Sequence, residues 1–228
     1  MGMAVVAAVT VIVGFAPTFY LRGYMTLRAD QAALSPLLLL HGLVGTAWIA
    51  LFLAQTFLVV CHRIHLHRRL GILGATVAAF LVIVGTITAI DALRRGVGPF
   101  GLDPRIWFLS VPLAGIVLFA VLVTTALVLR HRPEAHKRLM LLATITLLNP
   151  ALGRLVGRYL QVGLSGFLIL IFTLTDVFVI VAVLHDLWTR RNVHPALVWG
   201  GSTVVIFQPL LLAVGNTSAW LTFADLLR

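Results

Sequence analysis

Long apolar runs divide this chain, and short clusters of Arg, His, Gly and Pro separate them. The runs fall near residues 3–20, 36–60, 70–92, 106–129, 139–158, 163–187 and 196–214. Each is close to the roughly 20 apolar residues that a helix needs to cross a bilayer. In lipid a spanning backbone has to satisfy its own N–H and C=O groups, and a helix does so within one segment. The pattern therefore predicts an all-α fold: a polytopic membrane helix bundle of about seven transmembrane helices. Neither a linker nor a low-complexity stretch divides residues 1–228, so one domain is expected. The first run lacks the basic leader and small-residue cleavage site of a signal peptide and is expected to be a retained helix.

Punctuation refines these limits. Ser35-Pro36 and His194-Pro195 are expected to open the second and seventh spans, because proline is tolerated in a helix's first turn. Gly96, Gly98, Pro99, Gly101 and Pro104 predict an irregular third loop. Asn149-Pro150 falls inside the fifth span and should kink it. Beyond Gly215, Asn216-Thr217-Ser218 would cap a short C-terminal helix carrying Trp220, Phe223 and Leu227 on one side, expected to lie at the membrane interface.

Composition reinforces the membrane reading. The chain is 61% hydrophobic and 11% charged, with a mean hydropathy of +1.07. Soluble domains run at roughly 45–50% apolar and about 25% charged. A formal net charge of +10 would suggest nucleic acid in a soluble protein. Here the basic residues sit between apolar runs, where they meet lipid phosphates and set topology, so membrane lipid is the expected partner and nucleic acid is not. The second, fourth and sixth loops carry nine Arg or Lys residues against seven in the first, third and fifth. The positive-inside rule then places the N-terminus in the cytoplasm. A single Cys61 excludes an intramolecular disulfide framework, and its place at the end of an apolar run predicts burial.

An internal echo is the most informative motif. His62-Arg63-Ile64-His65-Leu66-His67-Arg68-Arg69-Leu70 matches His131-Arg132-Pro133-Glu134-Ala135-His136-Lys137-Arg138-Leu139 in the pattern H-R-x-x-x-H-[RK]-R-L, 69 residues apart, and Leu73 and Leu142 extend it. A helix–basic box–helix hairpin thus occurs twice, as in other membrane proteins built from repeats. By loop parity, seven of the eight histidines flank even-numbered loops and share one membrane face. Imidazole suits iron, copper and zinc. His62, His65, His67, His131, His136 and His185 are the candidate ligands for iron, copper or haem, with Glu134 and Asp186 as carboxylates to orient them. The plainer reading is that histidine beside arginine meets headgroups. Membrane desaturases resemble this chain in histidine count and sidedness, but the spacings here are HxxHxH and HxxxxH, without an HH pair. Transmembrane b-type cytochromes sandwich haem between histidines inside facing helices, a demand His41 meets poorly.

Polar groups inside the spans supply the other candidates. His41, Trp48, Gln55 and His62 recur every seven residues and form one stripe, either facing a cavity or gluing helices together. Asp176 is an intramembrane carboxylate, costing about 2.5–3.5 kcal/mol on insertion scales unless compensated. Arg154 and Asn149 are its expected partners. Asp91 and Asp103 read as loop charges. Walker, nucleophile-elbow, HExxH and Rossmann motifs are absent, which leaves hydrolase and nucleotide-driven classes without support.

The boxes HRRLG at 67–71 and HKRLM at 136–140, with FAPTFYLR at 15–22 and HPALVWGG at 194–201, resemble those of uncharacterised bacterial multi-pass membrane proteins. The resemblance implies the bacterial inner membrane and carries over no activity. The residues leave three expectations standing. The first is a redox protein binding metal or haem chiefly through His62, His67, His131 and His136, oxidising a lipid-soluble substrate. The second is a non-catalytic accessory or assembly subunit whose basic face docks on other membrane subunits, lipid or a second copy. The third is a transporter working through Asp176 and the Pro150 kink.

Overall fold

The computed structural model describes residues 1–24, 34–96, 105, 109–160 and 162–228, without the side chains of residues 164 and 165. Arg28, Asp103 and the loop residues Gly98, Pro99, Gly101 and Pro104 lie outside the described residues. The described chain is helical: α1 (Gly2–Phe15), a π-helical turn (Ala16–Tyr20), α2 (Pro36–Val60), α3 (Ile64–Arg94), α4 (Ser110–Val128), α5 (Pro133–Thr146), α6 (Asn149–Tyr159), α7 (Leu164–Arg190), α8 (Pro195–Gly215) and α9 (Ser218–Leu226). Among the described residues, seven helical stretches are long and apolar enough to cross a membrane. The fold is the all-α polytopic membrane bundle that the apolar runs predict.

Local chemistry explains the boundaries. Ser35 caps α2 by accepting from the Leu38 N–H at 3.3 Å, and Pro36 follows in the first turn. Thr217 caps α9 by accepting from the Trp220 N–H at 3.2 Å. Pro17 lacks the N–H that would continue α1, and the chain responds with a wide turn in which the Leu21 N–H reaches the Ala16 carbonyl at 2.7 Å. The kink expected at Pro150 is a full break: α5 ends at Thr146, and Asn149 and Pro150 begin α6. The spans also run further than hydrophobicity indicates. Most of each basic box is helix, and only residues 61–63 and 129–132 remain as turns. Leu66, Leu70 and Leu73, like Ala135, Leu139 and Leu142, keep helical spacing through the charged stretch, so the helix continues past its apolar limit.

The chain forms two compact units. The first comprises Met1–Leu81 and Leu148–Thr175. Here α1 packs on α6 and α2 through Ala4, Ala7, Ala8 and Val11, with Ala151, Leu152 and Val156 buried on α6. The approach is close: a Cβ on Gly14 would lie 2.7 Å from the Ala151 carbonyl oxygen, so glycine is required there.

The second unit comprises Val82–Leu147 and Asp176–Arg228. Helices α4, α5 and α8 pack on one another around Phe119, Leu122, Ala126, Leu142 and Leu197. A Cβ on Gly200 would sit 2.5 Å from the Leu142 side chain. Helix α9 turns Ala224 into a small core with Leu93 and Leu109, and Trp220 and Leu227 pack against it. The Trp220 indole donates to the Arg105 carbonyl at 2.8 Å, and Arg105 pairs with Asp225 at 3.0 Å. Two members of the apolar stripe expected to face the interface thus pack against protein, while Phe223 stays exposed. Cys61 is exposed, contrary to the expectation of burial, because α2 ends at Val60 and Cys61 already belongs to the turn.

Candidate functional site: two basic boxes and the intramembrane polar groups

The second box, in the second unit, is a closed ion-pair network. Arg138 is only 5% exposed. Its Nε donates to Asp186 Oδ2 at 2.7 Å and its Nη2 to Asp186 Oδ1 at 2.5 Å. Its Nη1 donates at 2.7 Å to both the carbonyl and the Oε2 of Glu134, one helical turn earlier. Glu134 also accepts from Lys137 at 2.9 Å and pairs with Arg190. Asp186 takes a further hydrogen bond from the His194 N–H at 3.2 Å, at the start of α8. One guanidinium therefore ties the first turns of α5 to the end of α7, and the Asp186 carboxylate extends the tie to α8. A planar fork on a carboxylate is the geometry arginine forms best.

Histidines take supporting places around this network. His194 caps α8, its Nδ1 accepting from the Ala196 N–H at 3.1 Å. His136 Nδ1 lies 2.8 Å from the Ala126 carbonyl, and since a carbonyl only accepts, the ring carries its proton there. His131 sits exposed in the turn before α5, and His185 is exposed on α7. Glu134 and Asp186 are thus engaged by arginine, lysine and a backbone amide, and no imidazole bonds them among the described residues.

The first box, in the first unit, shares the sequence but not the network. His65 stands where the second box has Glu134, so its first turn holds no acid. Arg63, Arg68 and Arg69 are exposed, as are His62 and His65. His62 adopts a left-handed backbone, φ 56°, in the tight turn before α3. The carbonyl of His67 accepts from Gln55 Nε2 at 3.2 Å, which joins α2 to α3.

The stripe on α2 is therefore partly interhelical glue. Gln55 bonds α3, while its Oε1 and His41 Nδ1 are buried without a hydrogen-bond partner among the described residues. Tyr20 and Thr46 share a hydrogen bond of 2.9 Å. The partner of Asp176 is Gln208, whose Nε2 donates to Oδ1 at 2.8 Å from α8. Neither expected partner takes that place. Asn149 accepts from the Thr175 hydroxyl, and Arg154 donates to the Thr18 hydroxyl at 3.3 Å and the Pro150 carbonyl at 2.9 Å while stacking on Phe15 at 4.2 Å. Asp91 pairs with Arg95 at 2.9 Å, as a helix-end charge does.

Among the described residues, His, Cys, Asp and Glu do not gather in any group of three or more suited to a metal ion. Sequence reasoning passed over Arg138 as the hub and Gln208 as the partner of Asp176. The first had a signal, since Glu134 and Arg138 stand four apart on a helix. The second was visible as a polar residue within the seventh apolar run. Neither family models, nor curated proteins, nor solved structures yield a match to this chain.

Proposed function

We propose that this chain is a non-catalytic membrane subunit whose basic boxes serve architecture and docking. The observation that carries the reading is the full engagement of Glu134 and Asp186 by Arg138, Lys137, Arg190 and the His194 amide. Carboxylates held this way brace three helices and are taken up by cations. Asp176, the working residue of a transporter, is itself engaged by Gln208. Among the described residues, Arg63, Arg68 and Arg69 of the first box are exposed and make no hydrogen bond or ion pair through their side chains. We propose the bacterial inner membrane on the resemblance that the boxes carry, and a cytoplasmic N-terminus on the excess of basic residues in the even-numbered loops. The first box would then meet the anionic cytoplasmic leaflet or a partner subunit.

A second reading, a haem- or metal-binding redox protein, draws on one observation. His136 holds its Nδ1 proton on the Ala126 carbonyl, an arrangement that fixes ring orientation as a backbone carbonyl does for many ligating histidines. Protein purified without chelator separates the two by its metal content and absorption spectrum. The subunit reading expects neither a Soret band nor stoichiometric iron or copper. Either signal, lost on His136→Ala, overturns it in favour of the redox reading.

A further inference from the structure

We infer that the groove between α2 and α3 holds one anionic phospholipid, with its acyl chain along the leucines and its phosphate on the Arg69 guanidinium. The groove is lined by Leu58 of α2 and by Leu66, Arg69, Leu70 and Leu73 of α3, and offers about 390 Å³ of space open along its outer side. An open apolar groove of this kind suits an acyl chain lying against the helices. Its wall is almost wholly apolar, and its one charged group comes from the basic box at the helix end. An acyl chain with an anionic head presents the same two chemistries in the same order.

Charge complementarity selects the occupant. Met1–Leu81 and Leu148–Thr175, the first unit, contain seven arginines and one carboxylate, Asp30, which lies outside the described residues. Arg69 makes no hydrogen bond or ion pair among the described residues, whereas its counterpart Arg138 is saturated by Glu134 and Asp186. A guanidinium lacking a protein carboxylate at the end of a membrane-spanning helix meets lipid phosphate as its most abundant anion. The phosphate accepts the fork that a carboxylate accepts in the second box. A free phosphate ion would leave the leucines unused, and a zwitterionic lipid would bring a cation beside Arg63 and Arg68.

The inference rests on the docking reading above and names its partner. Bound haem or metal would overturn that reading without touching lipid retention, so the two fail separately. The test is lipid binding to the purified full chain by native mass spectrometry, titrating phosphatidylglycerol against phosphatidylcholine. Wild type is expected to retain phosphatidylglycerol about tenfold more strongly. Arg69→Ala should reduce that preference to near unity. Leu66→Trp, which fills the groove and keeps the charge, should reduce retention of both lipids. Arg132→Ala, at an exposed arginine that lines no part of the groove, should leave both unchanged. An unaltered elution profile and helical spectrum identify the variants as folded. Equal effects of Arg69→Ala and Arg132→Ala overturn the proposal. So does displacement of the lipid by millimolar inorganic phosphate, which would mark a bare anion site. Self-association of wild type that excludes lipid and is lost in Arg69→Ala also overturns it, in favour of a second copy.

Discussion

Arg69 and Arg138 hold the same place in their boxes, two residues beyond the second shared histidine and in the second turn of a long helix. Arg138 is buried between two carboxylates, and Arg69 is exposed without one. The contrast extends to the units around them. The first has seven basic residues and one acid, and the second has ten and six. Within the boxes one replacement marks the difference, His65 in one and Glu134 in the other, and outside them the second unit adds Asp186. Glu134 stands four residues before Arg138, folds its guanidinium down along α5 and orients the fork toward Asp186 on α7. Without that anchor, Arg69 has no reason to turn inward, since burying an unpaired guanidinium costs several kcal/mol. Duplicated basic boxes can thus diverge in role through the acids around them, Glu134 within the box and Asp186 on a neighbouring helix.

The largest expected effect lies in the second box. Arg138→Ala leaves Asp186 buried and uncompensated, a change that costs about 3–5 kcal/mol in comparable buried pairs. Arg138→Lys should recover only part of this, because an ammonium cannot fork onto the carboxylate. The double replacement Arg138→Met with Asp186→Leu should recover most of it, as apolar pairs of similar volume often do. Unfolding midpoints in one detergent rank the three, and a double variant worse than either single one would contradict the lock.

Gln208→Leu comes next. It strands the half-buried Asp176 carboxylate, and losing a hydrogen bond to a charged group costs about 1.5–3 kcal/mol. Asp176→Asn keeps a hydrogen bond to Gln208 and should be milder in the same assay. A smaller effect is expected for His136→Phe, which removes the bond to Ala126 and should cost about 0.5–1.5 kcal/mol. The smallest concerns the first box. His62 occupies a left-handed turn position that glycine adopts freely, so His62→Gly should be neutral or slightly stabilising. A marked loss there would mean that the imbidazole ring has a task the turn does not explain.

Much of this architecture was legible before any coordinates. Spans are visible because roughly 20 apolar residues have few alternatives, and Pro36 and Pro195 mark helix starts because proline cannot donate, whereas Pro150 reads as a kink and is a full break. What hydrophobicity missed were the first turns of α3 and α5, where charged residues ride on a leucine and alanine spacing that continues the helix. The echo was equally plain, but its meaning was not, because residue types within a box do not reveal which helix end lies opposite. Asp186 sits 48 residues beyond Arg138, and only the fold brings them together. The same limit misassigned Asp176: Arg154 was chosen for depth and charge, whereas Gln208 holds the place by facing it from α8.

The central claim, one motif in two roles, is tested most directly by measuring Arg69→Ala and Arg138→Ala side by side, as unfolding midpoints in neutral detergent with and without phosphatidylglycerol. The account predicts that Arg138→Ala is strongly destabilised in both conditions. Arg69→Ala should match wild type without the lipid and fail to gain the stabilisation that the lipid gives wild type. Equal destabilisation of the two variants in neutral detergent, with the same response to lipid, would contradict it.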